Sequence, residues 1–493
     1  MNSKHLFSAI TSTDRIPDGE ILAVTEDSRK ADETSVFVCI RGALSDGHRY
    51  AESAYQKGCR FFVAERSLNL PKDAFVLETS DTRKSLALLA CRLYGDPSHS
   101  VKIIGITGTK GKTTTAQMLA HILNENNIPT GYIGTNGIRY GTFQAITANT
   151  TPDAVTLQRT LLEMKKHGMQ AVVIEVSSQA LMQQRVTGIK FDTVLFTNLF
   201  PDHIGVNEHP DFEHYKDCKK KLFRDFGATG MILNADDDFS EEFTQSASVN
   251  RILSCSAKDP ACDYFAKSVR LITKDHLPWV GFDLLHEKEQ CTCHLPLIGK
   301  SNAYNALLSM ACAHAVFGIP FTWAAEALSH VSIAGRSEIL SLPNKACLVI
   351  DYAHNGESLR QLLESLRAYR PSRLICLFGS VGDRTRQRRR EMGEAAAELS
   401  DLCILTSDNP GLEDPEKILD EIAQVFEGTG TPYYKIVDRK AAILKALEEA
   451  GRGDIVVLAG KGHETYQLVG KEKLPFSEKE IVEDFIKKNS VLQ

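Results

Sequence analysis

An apolar run that ends in a glycine-rich loop constrains this fold more than any other stretch of the chain. The run "VKIIGIT" leads directly into "GTKGK", and the helix-forming "TTTAQMLAHILNEN" follows. A continuous apolar run is typical of a parallel strand buried on both faces, and such strands alternate with helices in βαβ units. The chain therefore predicts a parallel sheet whose ligands bind at the carboxyl ends of the strands.

The loop itself has the residue types that bind a phosphate anion. Gly108 and Gly111 let backbone N–H groups approach an anion, and Lys112 can reach its outer phosphates. The Thr113 hydroxyl can hold Mg2+, and the positive end of the next helix faces the same anion. Ile106 stands where the common phosphate-loop pattern has its first glycine. We expect a bound nucleoside triphosphate here, and the alternative is an ordinary strand-to-helix turn.

Length and charge exclude several classes of protein. With 493 residues the chain exceeds one ordinary core, so two to four domains are expected. A net charge of −6 argues against a nucleic-acid-binding surface as the main purpose. No apolar stretch is long enough for a signal peptide or a membrane span, which predicts a cytoplasmic protein. Its 12 cysteines lie scattered in apolar runs and are expected to be reduced.

The order of apolar runs and amphipathic segments predicts an α/β protein of three domains. We predict a small α/β domain at residues 1–98 and a central domain with a parallel sheet at 99–333. A Rossmann-like α/β domain is predicted at 334–493, where strands such as "ACLVIDYAH" and "DIVVLAGKG" alternate with amphipathic helices. Polar or glycine-rich residues follow each of these strands, as they do at ligand-binding sheet edges.

Polar side chains also follow further strands of the central segment. Glu175 ends the strand in "IEVSSQAL", and Asn198 ends the strand before "LFPDHIG", which contains Asp202 and His203. A glutamate and a histidine beside a phosphate loop are suitable ligands for Mg2+. Each residue alone could be a solvated strand end or part of a turn. Together, on one predicted sheet edge, they indicate a metal site.

Many short motifs occur in an order that resembles one known family. Among them are "GITGTKGKTTT", "NTTPD", "EVSSQAL", "YKDCKKKLF", "GKSNAYNAL", "DYAHN", "DNP" and "GKGHE". The chain resembles the Mur ligases over nearly its whole length, and within them the members that add the third residue of the peptidoglycan stem peptide. The resemblance implies a monomer that acts in peptidoglycan synthesis, and hence in cell-wall biogenesis, cell shape, cell division and the cell cycle.

The resemblance also implies the substrates: ATP with Mg2+, UDP-N-acetylmuramoyl-L-alanyl-D-glutamate and a free diamino acid, joined through an acyl phosphate. The implied ATP-binding residues are Gly108, Thr109, Lys110, Gly111, Lys112, Thr113, Thr114, Asn302, Asn305, Arg336 and Asp351. The implied contacts to the UDP-muramoyl-peptide are Ser28, Thr150, Thr151, Ser178 and Arg185. Two positions depart from the family pattern, because Lys110 replaces the usual Asn or His and Gln179 replaces the usual His.

The metal site implied by the resemblance includes a modified lysine. The implied Mg2+ ligands are Thr113, Glu175, His203 and Lys219, and the last three are also the implied catalytic residues together with Lys112. In the family the position of Lys219 carries N6-carboxylysine, which forms when a neutral amine takes up CO2 and a cation becomes an anion. The alternative is a basic helix face of solvated lysines, since "YKDCKKKLF" contains four of them.

The identity of the third substrate depends on a further position that departs from the family pattern. The implied amino-acid contacts are Arg389, Asp408, Asn409, Gly411, Gly460 and Glu464. Ligases that use meso-diaminopimelate typically have Arg directly after "DNP", where it holds the distal carboxylate. A buried carboxylate without a cation is costly, so Gly411 leads us to expect L-lysine. The same reaction with meso-diaminopimelate is the alternative.

Three other functions compete with this prediction. The first is another ligase of the same architecture, such as folylpolyglutamate or cyanophycin synthetase, which the "DSR" segment and "DNP…GKGHE" disfavour. The second is a nucleotide-dependent switch or motor without a ligated product. The third is a catalytically inactive binding protein, against which the presence of Lys112, Glu175, His203 and Lys219 argues.

Overall fold

The computed structural model describes residues 1–42, 45–205, 208–333, 337–382, 385–462 and 464–490. The predicted ATP ligand Arg336 lies outside the described residues. The chain divides into two compact units, the first of Met1–Phe265 with Leu308–Pro320, and the second of Ala266–Leu307 with Phe321–Gln493. The boundaries of the three predicted domains stay predictions.

The first unit begins with a small parallel sheet. Its elements are α1 (Ser3–Phe7), β1 (Ala23–Thr25), β2 (Ser35–Val38), α2 (Ala51–Gln56), β3 (Phe61–Ala64), β4 (Phe75–Glu78) and α3 (Thr82–Leu93). The four strands pair in sequence order and all run parallel. Successive side chains of β2 point to opposite faces, so Val36 and Val38 enter one core while Phe37 enters another.

The first unit continues with a larger sheet. Its elements are β5 (Lys102–Thr107), α4 (Lys112–Glu125), β6 (Thr130–Gly134), β7 (Gly137–Tyr140), β8 (Phe143–Ala145), α5 (Ala154–Lys166), β9 (Ala171–Glu175), α6 (Ser178–Met182), β10 (Thr193–Phe196), α7 (Phe212–Arg224), β11 (Gly230–Asn234), α8 (Ser240–Ser246) and β12 (Arg251–Ser256). Strands β12, β11, β10, β5, β9 and β6 lie in this order and run parallel. Strands β7 and β8 extend the sheet antiparallel.

The strand order places three strand ends side by side. Strand β5 lies between β9 and β10, although β10 is the strand that follows β9 in the chain. The connection from β9 to β10 therefore passes across β5 and creates a switch point, where open α/β sheets bind their ligands. Gly108, Val176 and Thr197 are the first residues beyond these strands, so the phosphate loop and both polar strand ends share one edge.

The second unit contains most of the remaining elements. In chain order these are β13 (Tyr264–Lys274), β14 (Leu277–His286), β15 (Glu289–Leu295), α9 (Ser301–Phe317), α10 (Phe321–Leu328), β16 (Glu338–Ser341), β17 (Cys347–Asp351), α11 (Gly356–Arg367), β18 (Leu374–Phe378), α12 (Arg386–Leu399), β19 (Leu402–Leu405), α13 (Pro415–Ala423), β20 (Tyr433–Lys435), α14 (Arg439–Glu449), β21 (Ile455–Ala459), β22 (Tyr466–Val469), β23 (Glu472–Pro475) and α15 (Glu478–Ser490). Strand β13 and helix α9 each cross the boundary between the units.

A third sheet, again mostly parallel, organises this unit. Its strands follow the order β16, β17, β21, β18, β19 and β20, and only β16 is antiparallel to its neighbour. Val349 packs on one face and Leu348 and Ile350 on the other, because both faces carry helices. The predicted α/β fold class is confirmed. Among the described residues, no helix combines the length and the apolarity that crossing a membrane requires.

Candidate active site

Two glycines give the phosphate loop its shape. Gly111 has φ 84° and is the residue before α4, so Lys112 is the first helical residue. Gly108 has φ 149°, and a Cβ atom there would lie 1.9 Å from Thr197 Oγ1. A side chain at either position would be strained, and at Gly108 it would also collide with the end of β10. Thr114 lies half-buried in the first turn of α4.

Residues at the end of β10 hold the main chain of the loop. Asn198 Oδ1 accepts a hydrogen bond of 2.9 Å from Lys110 N, and its Nδ2 donates one of 3.1 Å to Lys110 O. Thr197 Oγ1 donates to the same carbonyl at 2.7 Å. The unusual Lys110 is therefore fixed through its backbone, and its ammonium group lies 5.5 Å from the centre of the Phe200 ring. Asn198 could be found by its place at the strand end, but its role depends on these contacts.

Two lysine side chains meet at one carbonyl oxygen of the loop. Lys112 Nζ donates to Gly108 O at 2.8 Å and to Thr109 O at 2.9 Å, and Lys219 Nζ donates to Gly108 O at 2.7 Å. Lys219 lies on α7 and is 1% exposed. Burial, together with the positive charge of Lys112, lowers the pKa of Lys219 well below its usual value. The side chain at position 219 is therefore a buried amine with a strong tendency to be neutral.

Helix α7 is attached to the loop by a second residue. Tyr215, one turn before Lys219, donates from its hydroxyl to Thr109 Oγ1 at 3.1 Å, and Thr109 Oγ1 lies 3.2 Å from its acceptor Phe200 O. Lys219 Nζ lies 4.5 Å from the centre of the Tyr215 ring. The phosphate loop, the segment after β10 and α7 therefore form one hydrogen-bonded group.

The carboxylate of Glu175 is fully buried at the end of β9 and accepts four hydrogen bonds. Thr113 Oγ1 donates to Oε2 at 2.8 Å, Thr135 donates from N at 3.0 Å and from Oγ1 at 3.2 Å, and the hydroxyl of Tyr132 donates to Oε1. Burial and the charge of Glu175 raise the pKa of Tyr132, so that hydroxyl keeps its proton. Thr113 uses its proton on Glu175 and leaves its oxygen lone pairs for a cation. A Cβ atom at Gly134 would lie 2.1 Å from Glu175 Oε1.

Four of the predicted muramoyl-peptide contacts lie around the end of β9. Thr151 Oγ1 donates to Glu175 O at 2.7 Å, and Arg185 Nη1 donates to Thr151 O at 2.7 Å. Thr150 Oγ1 lies 3.1 Å from Thr135 Oγ1. Ser178 is buried in the first turn of α6. These residues share the edge with Glu175, although a role in binding the peptide stays a prediction.

Ser28, the fifth predicted contact, lies in the small sheet after β1. Its carbonyl accepts a hydrogen bond of 3.1 Å from Lys57 Nζ, and the flanking Asp27 and Arg29 form an ion pair of 2.8 Å. This pair and the backbone N–H of Arg29 lower the pKa of Asp27 to about 2. The turn around Ser28 is therefore held in place by its own neighbours.

Histidines near the predicted metal site occupy very different surroundings. The ring of His203 is half-exposed, and among the described residues its Nδ1 contacts Glu208 Oε1 at 3.0 Å. His209 is fully buried, with Nε2 at 2.9 Å from Ser178 Oγ. Burial, then the charges of His214 and Lys219, lower the pKa of His209 to about 4. Binding of Mg2+ by His203 stays a prediction, and His209 is a buried residue that the sequence prediction missed.

The remaining predicted ATP contacts belong to the second unit. Asn302 Nδ2 donates to Ile298 O at 2.8 Å, and Asn305 Nδ2 donates to Asn302 Oδ1 at 2.9 Å. Asp351, at the end of β17, accepts from Ser337 N at 2.6 Å. These side chains are ordered by contacts within their own unit, and their binding of ATP stays a prediction.

A buried lysine forms the centre of the predicted amino-acid site. Lys461 is fully buried, and its Nζ donates to Asn409 Oδ1 at 3.1 Å and to Glu464 Oε2 at 2.9 Å, with Asp408 Oδ1 at 3.6 Å. Asn409 Nδ2 also donates to Glu464 Oε2 at 3.0 Å. Lys461 was not among the predicted residues, although it belongs to the "GKGHE" motif. The structure brings Asp408, Asn409 and Glu464 together around it.

Two predicted glycines lie in the same region. Gly460 has φ 113°, and a Cβ atom there would lie 2.9 Å from Asp408 Oδ2. Gly411 has φ 58°, its N–H donates to Leu468 O at 3.2 Å, and its carbonyl accepts from Gly470 N at 2.7 Å. Both positions favour glycine for its backbone freedom. Gly411 therefore fits its local turn, whatever the identity of the substrate.

Arg389, the predicted carboxylate-binding residue, is already paired. It lies on α12, is 3% exposed, and its guanidinium contacts Glu413 and, at 2.8 Å, Glu421. Among the described residues its Nε has no hydrogen-bond partner, so a substrate carboxylate could accept from that atom, and a second contact would have to replace Glu413 or Glu421. The exposed Arg386 pairs with the same Glu421 at 3.1 Å. Binding of the amino acid by Arg389 stays a prediction.

Comparisons with known proteins agree with this geometry. The family model described as "Mur ligase middle domain" matches residues 106–313, and the model "Mur ligase, glutamate ligase domain" matches residues 335–462. A solved structure of UDP-N-acetylmuramoyl-L-alanyl-D-glutamate--2,6-diaminopimelate ligase has a TM-score of 0.75 and 27% identity, and the match covers 99% of this chain and 100% of that one.

Relatives with the same printed name are more similar in sequence. The protein from Clostridium botulinum (strain ATCC 19397 / Type A) is 38% identical over 476 residues, which is 95% of each chain. The protein from Caldanaerobacter subterraneus subsp. tengcongensis is 37% identical over 472 residues, again 95% of each. Similarity of this extent, with a phosphate loop and a buried carboxylate at one sheet edge, shows that the chain belongs to the Mur ligase family of ATP-dependent amide ligases.

Proposed function

We propose that this protein uses ATP to join 2,6-diaminopimelate to UDP-N-acetylmuramoyl-L-alanyl-D-glutamate. The observation that carries the proposal is the sheet edge where Lys112, Lys219 and Glu175 lie beside the phosphate loop. Such an edge can bind the triphosphate and receive the charge that develops when a carboxylate is phosphorylated. The printed names of the relatives support the choice of both substrates. We also expect a monomer that acts in the cytoplasm.

The relatives support diaminopimelate over the L-lysine that Gly411 led us to expect. Each is named as a 2,6-diaminopimelate ligase, so the sequence alternative fits them better than our main prediction. If diaminopimelate is the substrate, another cation must neutralise its distal carboxylate. Arg386 is exposed and shares Glu421 with Arg389, and Arg389 also contacts Glu413, two residues after Gly411. We propose that this arginine pair takes the place of the usual arginine.

The residues at the end of β9 fit a bound Mg2+. Thr113 and Glu175 provide hard oxygen donors 2.8 Å apart, of the kind that Mg2+ prefers. When bound, the ion would neutralise phosphate charge and draw electron density from the transferred phosphoryl group. Tyr132 and Thr135 hold the carboxylate in place through their own hydrogen bonds. Lys112 lies at the positive end of α4 and would meet the outer phosphates.

The proposed reaction has two steps, and in both of them the protein must stabilise negative charge. In the first, a carboxylate oxygen of the D-glutamate residue attacks the γ-phosphorus, the bond to the bridging oxygen breaks, and ADP leaves. In the second, the neutral amine attacks the acyl carbon, inorganic phosphate leaves, and the amine proton passes to solvent. Both steps gather negative charge around the phosphoryl oxygens. Lys112 and the N–H groups of the loop would stabilise that charge.

We further propose that Lys219 is carboxylated. Two ammonium groups at one carbonyl oxygen repel each other, and Lys219 loses its proton more readily because it is buried. A neutral amine can attack CO2 and lose a proton, which gives a carbamate of charge −1. Lys112 would then face an anion in place of a second cation. The N–H that remains on the modified lysine can still donate to Gly108 O.

The test measures phosphate release and product together. Purified protein with ATP and Mg2+ is assayed with the UDP-muramoyl-dipeptide, with meso-diaminopimelate, with both, and with L-lysine in its place. The proposal expects phosphate release and a product of the combined mass, less one water, only when both substrates are present. Release that ignores both substrates would instead indicate a switch or motor. Efficient use of L-lysine with no use of meso-diaminopimelate would reject the proposed amino acid and leave the ligase assignment intact.

A further inference from the structure

Two histidines and a cysteine form a compact group at the N-terminal half of α7, with one histidine in the segment before the helix. This group, which we call the His–His–Cys cluster, consists of His209, His214 and Cys218. His209 Nδ1 lies 2.9 Å from His214 Nδ1, and Cys218 Sγ lies 3.9 Å from the same atom. One donor atom from each residue lies within 4.8 Å of both others. The nitrogen and sulphur donors thus form a small triangle.

The cluster results from the helical period and one preceding residue. His214 and Cys218 are four residues apart on α7, so their side chains project from the same face of the helix. His209 precedes the helix and is fully buried against that face. Cys218 is also buried, whereas His214 is partly exposed and leaves a route from solvent. The proposed function involves His203 as a predicted Mg2+ ligand and Lys219 as a carboxylated lysine. It gives no role to His214 or Cys218.

The second nitrogen of His209 is oriented as metal-binding histidines usually are. Its Nε2 lies 2.9 Å from Ser178 Oγ. Histidines that bind a metal through one ring nitrogen normally give the proton on the other nitrogen to a nearby oxygen, which fixes the ring. Here that arrangement leaves Nδ1 directed at the cluster. This contact, which is separate from the donor triangle, supports binding of a ligand at the centre of the cluster.

We propose that the His–His–Cys cluster is a second metal site, which binds a thiophilic divalent cation such as Zn2+ and is separate from the Mg2+ site. Two imidazole nitrogens and a thiolate suit Zn2+, which prefers nitrogen and sulphur, and they do not suit Mg2+. Three protein ligands would leave a fourth position of a tetrahedral Zn2+ for water.

Binding involves defined movements of protons. The Cys218 thiol loses its proton to solvent, since only the thiolate is a good ligand. The proton now shared between the two Nδ1 atoms must also leave that position, so each ring carries its proton on Nε2. His209 then donates to Ser178 Oγ, and His214 donates toward solvent. No change of oxidation state is involved.

A cation at this site would join elements that border the active site. Ser178, which holds His209, is a predicted contact of the muramoyl peptide, and Cys218 directly precedes Lys219. Lys219 in turn contacts the phosphate loop. The bound ion would therefore link α6, the segment before α7, and α7 itself. We expect that it stabilises this part of the first unit against unfolding.

The experiment titrates the untagged, reduced protein with Zn2+ in excess Mg2+, which occupies the oxygen site. Calorimetry gives the stoichiometry and affinity, and Co2+ serves as a spectroscopic probe because thiolate coordination produces a charge-transfer band. We expect one site per chain. His214→Ala and Cys218→Ser should each lower the Zn2+ affinity by about 100-fold or more, and Cys218→Ser should abolish the charge-transfer band.

Matched variants keep the test specific. His167→Ala and Cys262→Ser remove a histidine and a cysteine elsewhere in the described chain, and each should leave Zn2+ binding unchanged. Circular dichroism and the thermal midpoint without added metal show whether each variant is folded. The proposal is overturned if Zn2+ does not bind, or if folded His214→Ala and Cys218→Ser proteins bind it as tightly as the parent. Zn2+ should also raise the thermal midpoint of the parent and not that of either variant.

Discussion

Two buried lysines, one in each unit, differ in the charged groups that surround them, and this difference indicates different roles. Lys219, in the first unit, is surrounded by a backbone carbonyl, an aromatic ring and the positive charge of Lys112. Lys461, in the second unit, donates to Asn409 and Glu464 and also lies near Asp408. A buried charge is tolerated when it is paired, and a buried lysine without a carboxylate tends to lose its proton. The first lysine is therefore the one that we propose to react with CO2, and the second neutralises the acidic side chains around it.

The largest expected effect is on the stability of the second unit. Lys461→Met removes the cation and leaves the buried Asp408 and the partly buried Glu464 without it. Breaking a buried pair in this way costs about 3–5 kcal/mol of unfolding free energy. Lys219→Met should cost far less, because a buried amine that loses its proton readily is replaced by an apolar side chain.

Urea unfolding of both variants measures this difference. Lys473→Met, at an exposed position of β23, is the matched control and should leave the midpoint unchanged. Equal losses in Lys461→Met and Lys219→Met would show that the two lysines are not distinct in the way proposed.

The next effect is on catalysis. Lys219→Ala should lower the ligation rate by about 10²–10³-fold, which corresponds to about 2.7–4 kcal/mol of transition-state stabilisation. A short carboxylic acid added to the assay should restore part of the rate, because it can occupy the place of the carbamate. Initial rates with and without formate measure both effects.

A neighbouring lysine provides the control for this loss. Lys220 lies on the same helix and pairs with Glu242 at 2.7 Å, and Lys220→Ala should keep nearly full activity. Full activity of Lys219→Ala without any additive would contradict the carbamate proposal.

The depressed pKa of Lys219 predicts a pH dependence of stability with a definite sign. Between the lowered pKa in the folded state and about 10.4 in the unfolded state, the unfolded chain holds one more proton. Stability due to this group therefore rises with pH in that window, by at most about 1.4 kcal/mol per pH unit. The window lies below about pH 10.4, and its lower end marks the folded-state pKa.

The measurement compares urea midpoints of the parent and Lys219→Met across alkaline pH in CO2-free buffer. The methionine variant lacks the titrating amine, so its urea midpoints give the baseline for the parent. Curves that stay parallel over the whole range would mean that Lys219 does not titrate below its usual pKa.

The smallest expected effect is on the choice of amino acid at the predicted amino-acid site. Gly411→Arg should raise kcat/KM for meso-diaminopimelate relative to L-lysine, since it restores a cation after "DNP". The positive φ of 58° means that any side chain there costs about 1 kcal/mol of stability. Gly411→Ala carries the same backbone cost without the charge, so it should leave the substrate ratio unchanged. If the ratio of kcat/KM for the two amino acids were equal in both variants, the side chain at position 411 would not contact the distal carboxylate.

The strands and the phosphate site could be predicted from the sequence because their signals are local. A largely apolar run such as that of β5 or β21 favours burial on both faces, and the glycines of the loop mark the residues beyond β5. The polar strand ends at Glu175 and Asn198 followed from the rule that parallel strands share an edge. These features require no knowledge of distant contacts.

Other features depend on contacts between distant residues and left no local pattern. Tyr132 looks like an ordinary strand residue, and only the pairing of β6 with β9 brings its hydroxyl to Glu175. Lys461 lies in a recognised motif, but its burial beside Asp408 and Glu464 depends on the order of strands in the six-stranded sheet of the second unit. The hairpin β22–β23 was also missed, since its two short antiparallel strands lack a long apolar run.

The close approach of Gly134 to Glu175 has a consequence for sequence divergence among related chains. A single added methyl group at position 134 would lie 2.1 Å from the carboxylate oxygen, so the two residues cannot change independently. A gene that has lost the need for ligation is free to accumulate any residue there. Among homologous sequences, we therefore expect that proteins with another residue at this position no longer catalyse ligation, even where Lys112, Lys219 and Glu175 are retained.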